Sequence, residues 1–186
     1  MQPGGTTKLK LKKIIHFLIP IFVGLLVAAI LKTYIFVNIK VPTGSMEPTI
    51  LTGDRLIGSR VSYLSKKPER GDVITFYSPE DNETVFVKRI IGLPGETVTI
   101  EGGKVYINNS KTPLSEAYTN FEDESTDNCG PYRVPDDCYF VLGDNRNNSY
   151  DSRYWETTNF VSEENLIAKI VFKYYSLDEF HFSKIN

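Results

Sequence analysis

The sequence predicts a mainly β, antiparallel body carried behind one N-terminal apolar helix, and three observations lead there. Eleven Tyr and eleven Phe stand among 186 residues, and aromatic side chains suit a pleated, half-buried surface. Past residue 38 the apolar runs are short and bounded by turn residues, with no long amphipathic helical period. The stretch Ile14–Leu31, in contrast, carries no formal charge.

At this length the chain suits one domain, with room for a small insertion and a targeting segment. The expected organisation is a basic N-terminus over residues 1–13, an anchor over 14–37 and a body over 38–186. Lys8, Lys10, Lys12 and Lys13 precede the apolar run, which resumes beyond Lys32 as Thr33–Val37. About 20 helical residues cross a hydrocarbon core, so Ile14–Val37 suffices, and Pro20 and Gly24 are tolerable there. Lysines before the span, with no acid among them, put the N-terminus in the cytoplasm and the body outside. A cleavable signal peptide shares the basic start, and Val27-Ala28-Ala29 would suit its cleavage site. The apolar run continues to Val37, which favours retention as a single-pass anchor. A buried core helix would show a polar face, and this segment has none.

Within the body, Thr52–Arg55 signals a turn and Tyr63–Gly71 a charged loop. Strands are expected at Asp72–Tyr77, Thr84–Ile91, Glu96–Ile100, Lys104–Ile107, Cys138–Leu142 and Leu166–Tyr175. Glu101-Gly102-Gly103 joins the third and fourth as a hairpin. Between them and Cys138 the character changes, at about residues 111–137. Glu116, Glu122, Asp123, Glu124, Asp127, Asp136 and Asp137 crowd there, broken by Pro113, Pro131 and Pro135. That composition reads as a solvated acidic insertion rather than core. Short strands joined by short turns make an antiparallel architecture.

The whole chain has 21 basic and 23 acidic residues. Five of the lysines precede residue 38, which leaves the body at −7 and makes nucleic acid an improbable partner. Cys129 and Cys138 show no zinc spacing with His16 or His181. A disulfide and two free thiols both remain open, and no metal or cofactor is expected.

One serine stands in a turn of its own. Ser45 is fenced by Pro42, Gly44 and Pro48, which bend or fix the backbone and present a hydroxyl from a rigid edge. A serine is a weak nucleophile until a base takes its proton. His16 lies in the apolar segment and His181 in a polar C-terminal tail, so the base falls to a carboxylate or a lysine. Lys88 is the candidate. In Val85–Ile91 a strand period puts Phe86, Lys88 and Ile90 on one face. Apolar neighbours desolvate an ammonium and lower its pKa from about 10.4, and a neutral amine can act as general base. The competing reading has Lys88 at a strand edge, snorkelling to water. Arg89 is read as charge tolerated on the opposite face. A third constellation, Gly143–Trp155, interleaves Asp144, Arg146, Ser149, Asp151, Ser152 and Arg153. It reads either as a support for a neighbouring site or as a self-satisfied surface turn.

These stretches, in this order behind an anchor, closely resemble the bacterial type I signal peptidases. The matching residues are Pro42-Thr43-Gly44-Ser45-Met46-Glu47-Pro48-Thr49-Ile50 with Gly53-Asp54, then Gly71–Phe76, Lys88–Glu96 and Gly143–Arg153. The resemblance implies the signal-peptidase and repressor-peptidase type of β fold, whose apolar surface touches the bilayer. It implies Ser45 as nucleophile, Lys88 as general base, and an oxyanion hole from the Ser45 N–H and the Thr43 hydroxyl. By the same resemblance Ser149 orients the amine and Asp151 with Arg153 forms a supporting ion pair, beside Asp144 and Arg146. Ile39, Val41, Met46, Ile50, Phe86 and Val87 would line pockets for small side chains. The substrates would be exported preproteins cut after small-x-small sites at the face of a bacterial cell membrane. Two departures stand out. Phe86 occupies a position where the family often has tyrosine, and Glu156-Thr157-Thr158-Asn159 replaces a usual glycine after Trp155. The remaining alternatives are a self-cleaving Ser/Lys peptidase and a catalytically idle, membrane-tethered β module that binds peptides.

Overall fold

A computed structural model describes residues 5–119, 125–176 and 179–185, with side chains from residue 12 onward. The expected acids Glu122, Asp123 and Glu124 lie outside the described residues, as do residues 1–4. The chain divides between Phe36 and Val37 into two compact units.

The first unit is helix α1, Gly5–Ile30, which continues through a π-helical turn at Leu31–Ile35. Pro20 sits inside it without ending it. Lys12–Ile35 is long and apolar enough to cross a membrane. The helical segment ends at Ile35, and Phe36–Lys40 is a strand, β1, with alternating exposure. Its Phe-Val-Asn-Ile-Lys sequence has the two-residue period of a half-buried strand, and that period ends the helix.

The second unit is β-rich. Its strands are β2 Arg55–Ser59, β3 Val73–Tyr77, β4 Val85–Gly92, β5 Thr97–Glu101, β6 Lys104–Ile107, β7 Cys129–Arg133, β8 Cys138–Leu142, β9 Val161–Ser162, β10 Leu166–Ser176 and β11 Glu179–Lys184. Among the described residues, the larger sheet runs β1-β2-β10-β3-β4-β8-β9 with β11 on β10. The smaller runs β6-β5-β7. The recorded pairings are antiparallel, and β3 meets β4 in unbroken register from Val73↔Arg89 to Tyr77↔Val85. The hairpin of β5 and β6 closes at Glu101↔Lys104. Gly103 in its turn has φ of +75°, and a Cβ there would lie on the Ser125 carbonyl oxygen.

The described residues of the expected acidic insertion are mostly exposed, yet part of the stretch enters the body. Cys129–Arg133 pairs with β5, and Val134 is fully buried beside Val98, Phe140 and Leu142. Two of its acids, Glu116 and Asp127, pair with arginines far away in sequence, as described below. The C-terminal tail expected to hold His181 is likewise strand β11. Cys129 and Cys138 are both free thiols.

Three apolar clusters carry the body. One joins Val41, Met46, Ile50, Leu56, Val73 and Ile170 beneath the Ser45 turn. A second joins Ile74, Phe76, Ile90, Tyr139, Val141, Trp155 and Val161, with Phe86 at its margin. The third joins Val98, Ile100 and Val105 of the smaller sheet to Ile91, Phe140 and Leu142 of the larger. Both side chains that flank Lys88 on its own face, Phe86 and Ile90, therefore belong to the second cluster.

Candidate active site

Ser45 stands in a chain reversal tied at several points. Glu47 N–H donates to the Gly44 carbonyl at 3.1 Å and Ile50 N–H to the Met46 carbonyl at 2.9 Å. The buried Asp54 carboxylate accepts from Leu51 N–H at 2.9 Å and pairs with Lys173 at 3.2 Å. Two bonds come from across the molecule. Asn145 N–H donates to the Ser45 carbonyl at 3.1 Å, and Asn145 Nδ2 to the Gly44 carbonyl at 3.0 Å. The serine turn is thus fixed by the loop after β8, and the Ser45 side chain is left at the surface of a cleft.

That cleft has a volume of about 460 Å³, within the range of small-molecule and peptide sites. Ser45 and Lys88 both line it, with Thr43, Ile39, Val41, Met46, Phe86, Val87 and Tyr150. Ile50, expected among the pocket residues, is fully buried in the cluster behind Met46. The bond from its N–H to the Met46 carbonyl folds it inward, away from the cleft. Thr43 Oγ1 lies 3.5 Å from Ser45 Oγ.

Lys88 is 3% exposed, which contradicts the snorkelling alternative. Its Nζ sits 5.8 Å from the centroid of the Phe86 ring, and that ring stacks on Trp155 at 6.4 Å. Burial pulls the amine from its ordinary 10.5 down to about 8. Asp151 and Asp144 oppose the shift and Arg153 adds to it. An aromatic at residue 86 therefore contributes dehydration where a tyrosine would contribute a hydroxyl.

Arg89 is not a charge tolerated on an open face. It is 1% exposed and meets Asp144 through Nε at 2.9 Å and Nη2 at 2.7 Å. Its guanidinium also donates to the Gly71 carbonyl and lies 4.0 Å from the Tyr118 ring centroid. Thr49 Oγ1 donates to the same Asp144 carboxylate at 2.6 Å. Asp144 thus ties β4 to the end of the serine turn.

In the loop after β8, Gly143 N–H donates to Asp151 at 3.0 Å and Arg146 Nε to the Gly143 carbonyl at 3.0 Å. Arg153 grips Asp151 through Nε and Nη2, each at 2.9 Å. Ser149 Oγ is buried without a hydrogen-bond partner among the described residues. A Cβ placed on Gly143 would lie 2.2 Å from that oxygen and 2.4 Å from the Ser45 carbonyl oxygen, so the loop packs directly onto the serine turn. The departure at Glu156–Asn159 is held in place, because Glu156 N–H donates to Glu80 and Asn159 Nδ2 to the Ser152 carbonyl. Sequence reasoning missed Glu116 and Asp127, which pair with Arg146 and Arg153; nothing local marks contacts across 30 and 26 residues. Among the described residues no cluster of His, Cys, Asp or Glu suits a metal ion.

An antiparallel β body with a serine and a desolvated amine on one apolar cleft is the build of a serine peptidase that works without histidine. Residues 14–175 match the model of the signal peptidase family, peptidase S26. The signal peptidase I of Leptolyngbya laminosa is 40% identical over 80% of this chain and 73% of its own. A probable signal peptidase I-2 of Synechocystis is 38% identical over 94% of this chain and 76% of its own. The signal peptidase I of Bacillus caldolyticus is 34% identical over 88% and 92%. The chain belongs to the signal peptidase family, peptidase S26. It is a serine endopeptidase, and its one apolar N-terminal helix fits a membrane-anchored protein.

Proposed function

We propose that this enzyme removes signal peptides from exported preproteins after small-x-small sites, with Ser45 as nucleophile and Lys88 as general base. The observation that carries the reading is the shared cleft, in which the Ser45 hydroxyl and the dehydrated Lys88 meet an apolar wall. A neutral Lys88 amine takes the Ser45 Oγ proton as Oγ attacks the scissile carbonyl. The resulting ammonium gives that proton to the departing amine as the C–N bond breaks, leaving an acyl ester on Ser45. Water, deprotonated by the same amine, then attacks the ester and releases Ser45. The Ser45 N–H and the Thr43 hydroxyl are the oxyanion donors, and losing one such donor typically costs about 3 kcal/mol of barrier. The unpartnered Ser149 hydroxyl is free to orient the amine, while Asp151 with Arg153 and Asp144 with Arg89 fix the surrounding backbone.

Ile39, Val41, Met46, Phe86 and Val87 give the cleft its apolar character, which suits small side chains flanking the cut. Beside it, β4 pairs with β8 only from Arg89 onward, so Val85–Lys88 presents an edge to which an extended substrate can add. Topology follows from charge: lysines before the span keep the N-terminus cytoplasmic and the body outside. The exposed Phe180 and Phe182 of β11 suit a lipid interface, and the acidic body disfavours nucleic acid.

The test is cleavage of a preprotein carrying a small-x-small site by the full-length chain in lipid vesicles. Ser45→Ala and Lys88→Ala are each expected to abolish product. Near-parental cleavage by Lys88→Ala would dismiss the pair. A serine-directed acylating probe that left the parent unlabelled would favour the idle binding module instead.

A further inference from the structure

We infer that Asp127 and Glu116, two acids of the stretch between β6 and β8, are positioning residues that hold the active-site loop at Gly143 from both sides. This rests on the reading of Ser45 as nucleophile. Gly143 is pinned at its N–H by Asp151 and at its carbonyl by Arg146, each at 3.0 Å. Neither pin stands alone. Arg153, which grips Asp151, sends its remaining Nη1 to Asp127 Oδ2 at 2.6 Å, and the Tyr154 hydroxyl donates to the same oxygen at 2.8 Å. Arg146 sends Nη1 and Nη2 to Glu116 at 3.1 and 2.5 Å, and the Tyr118 hydroxyl holds that carboxylate at 2.8 Å. Each guanidinium is thus a strut with one end on the loop backbone and the other on an acid from outside the loop.

Both struts are buried, with side-chain exposure of 8% for Arg146 and 2% for Arg153. A buried guanidinium that loses its carboxylate keeps its charge and must seek water or another acceptor. Turning either arginine releases a Gly143 pin. Gly143 has little room to move, since even a Cβ built on it would run into Ser149 Oγ and the Ser45 carbonyl. Displacing it disturbs the hydroxyl beside the amine and the backbone of the nucleophile together, and misplacement on the order of an ångström can cost about a hundredfold in rate. Glu116 and Asp127 touch neither the cleft nor the serine, so their effect passes through the arginines.

The experiment is steady-state cleavage of a soluble small-x-small peptide by the full-length chain in detergent, with Asp127→Asn and Glu116→Gln. Each is expected to lower kcat about tenfold with KM within about twofold, the pattern of a defect confined to the transition state. Asp127→Glu, which restores the charge, is expected to recover most of kcat. Asp136→Asn, removing an exposed acid of the same stretch, is expected to match the parent. Parental kcat in both variants, or losses that follow KM or the unfolded fraction, would overturn the inference. Should Glu116→Gln fail to fold, the partly exposed Asp127 decides alone. Ser45→Ala separates the levels: if it still cleaves, the nucleophile is wrong and the inference falls with it. If it is inert while both acid variants match the parent, only the positioning role falls.

Discussion

Burying Lys88 costs the folded state stability. Moving its amine from 10.5 to about 8 corresponds to about 3 kcal/mol against the folded state at neutral pH. The sign follows from proton counts. Below pH 8 folded and unfolded chains both hold the proton, and the cost is complete. Between pH 8 and 10.5 the folded chain sheds a proton that the unfolded chain keeps, so this contribution to stability rises with pH. Lys88→Met, which keeps the apolar stem and removes the charge, is expected to abolish cleavage and stabilise the protein by about 2 kcal/mol at pH 7. Urea denaturation at pH 7 and pH 10 checks both the gain and its shrinkage at high pH. A neighbouring residue shows the opposite constraint. At Gly143 a single methyl meets Ser149 Oγ and the Ser45 carbonyl, so Gly143→Ala is expected to cost about 1–3 kcal/mol of stability and at least tenfold in kcat. Equilibrium unfolding alongside peptide cleavage measures both; a variant indistinguishable from the parent would show the loop free to shift.

The elements meet at buried ion pairs rather than at apolar contact alone. Arg89 on β4 and Asp144 after β8 are both about 1% exposed, and removing one partner from such a pair typically costs 3–5 kcal/mol. Asp144→Ala is therefore expected to lower the melting temperature by about 10 °C, whereas Arg89→Met with Asp144→Leu recovers much of it. Scanning calorimetry of the two variants beside the parent decides. These pairs also mark where sequence reasoning stops. The strand faces around Lys88 were legible because Phe86 and Ile90 repeat at period two, and β5 and β6 because a Glu-Gly-Gly turn separates them. Strand β7 was hidden by Pro131, which reads as a breaker. It lies at the edge of its sheet, where proline is tolerated. Arg89 read as surface charge because its partner stands 55 residues away, and pairing at that range leaves no local periodicity. Ile50 sits inside a motif yet faces the core, where it packs with Met46, Leu56 and Ile170.

Across the whole molecule, the apolar helix fits a membrane-anchored protein and the β body carries the cleft. The body holds its own apolar clusters and the complete cleft. A fragment of residues 37–186 is expected to cleave a soluble peptide at near-parental kcat/KM, yet to process a vesicle-inserted preprotein about a hundredfold more slowly, for want of a shared surface. Equal loss on both substrates would show that the helix supports the site itself. In the proposed mechanism a dehydrated Lys88 activates Ser45. The direct measurement is an NMR titration of the Lys88 Cε signal in the full-length chain, assigned by its absence in Lys88→Met. A midpoint near pH 8, matched by the acid limb of kcat/KM, is the expected result. A midpoint near 10.5, with cleavage undiminished at neutral pH, would contradict it.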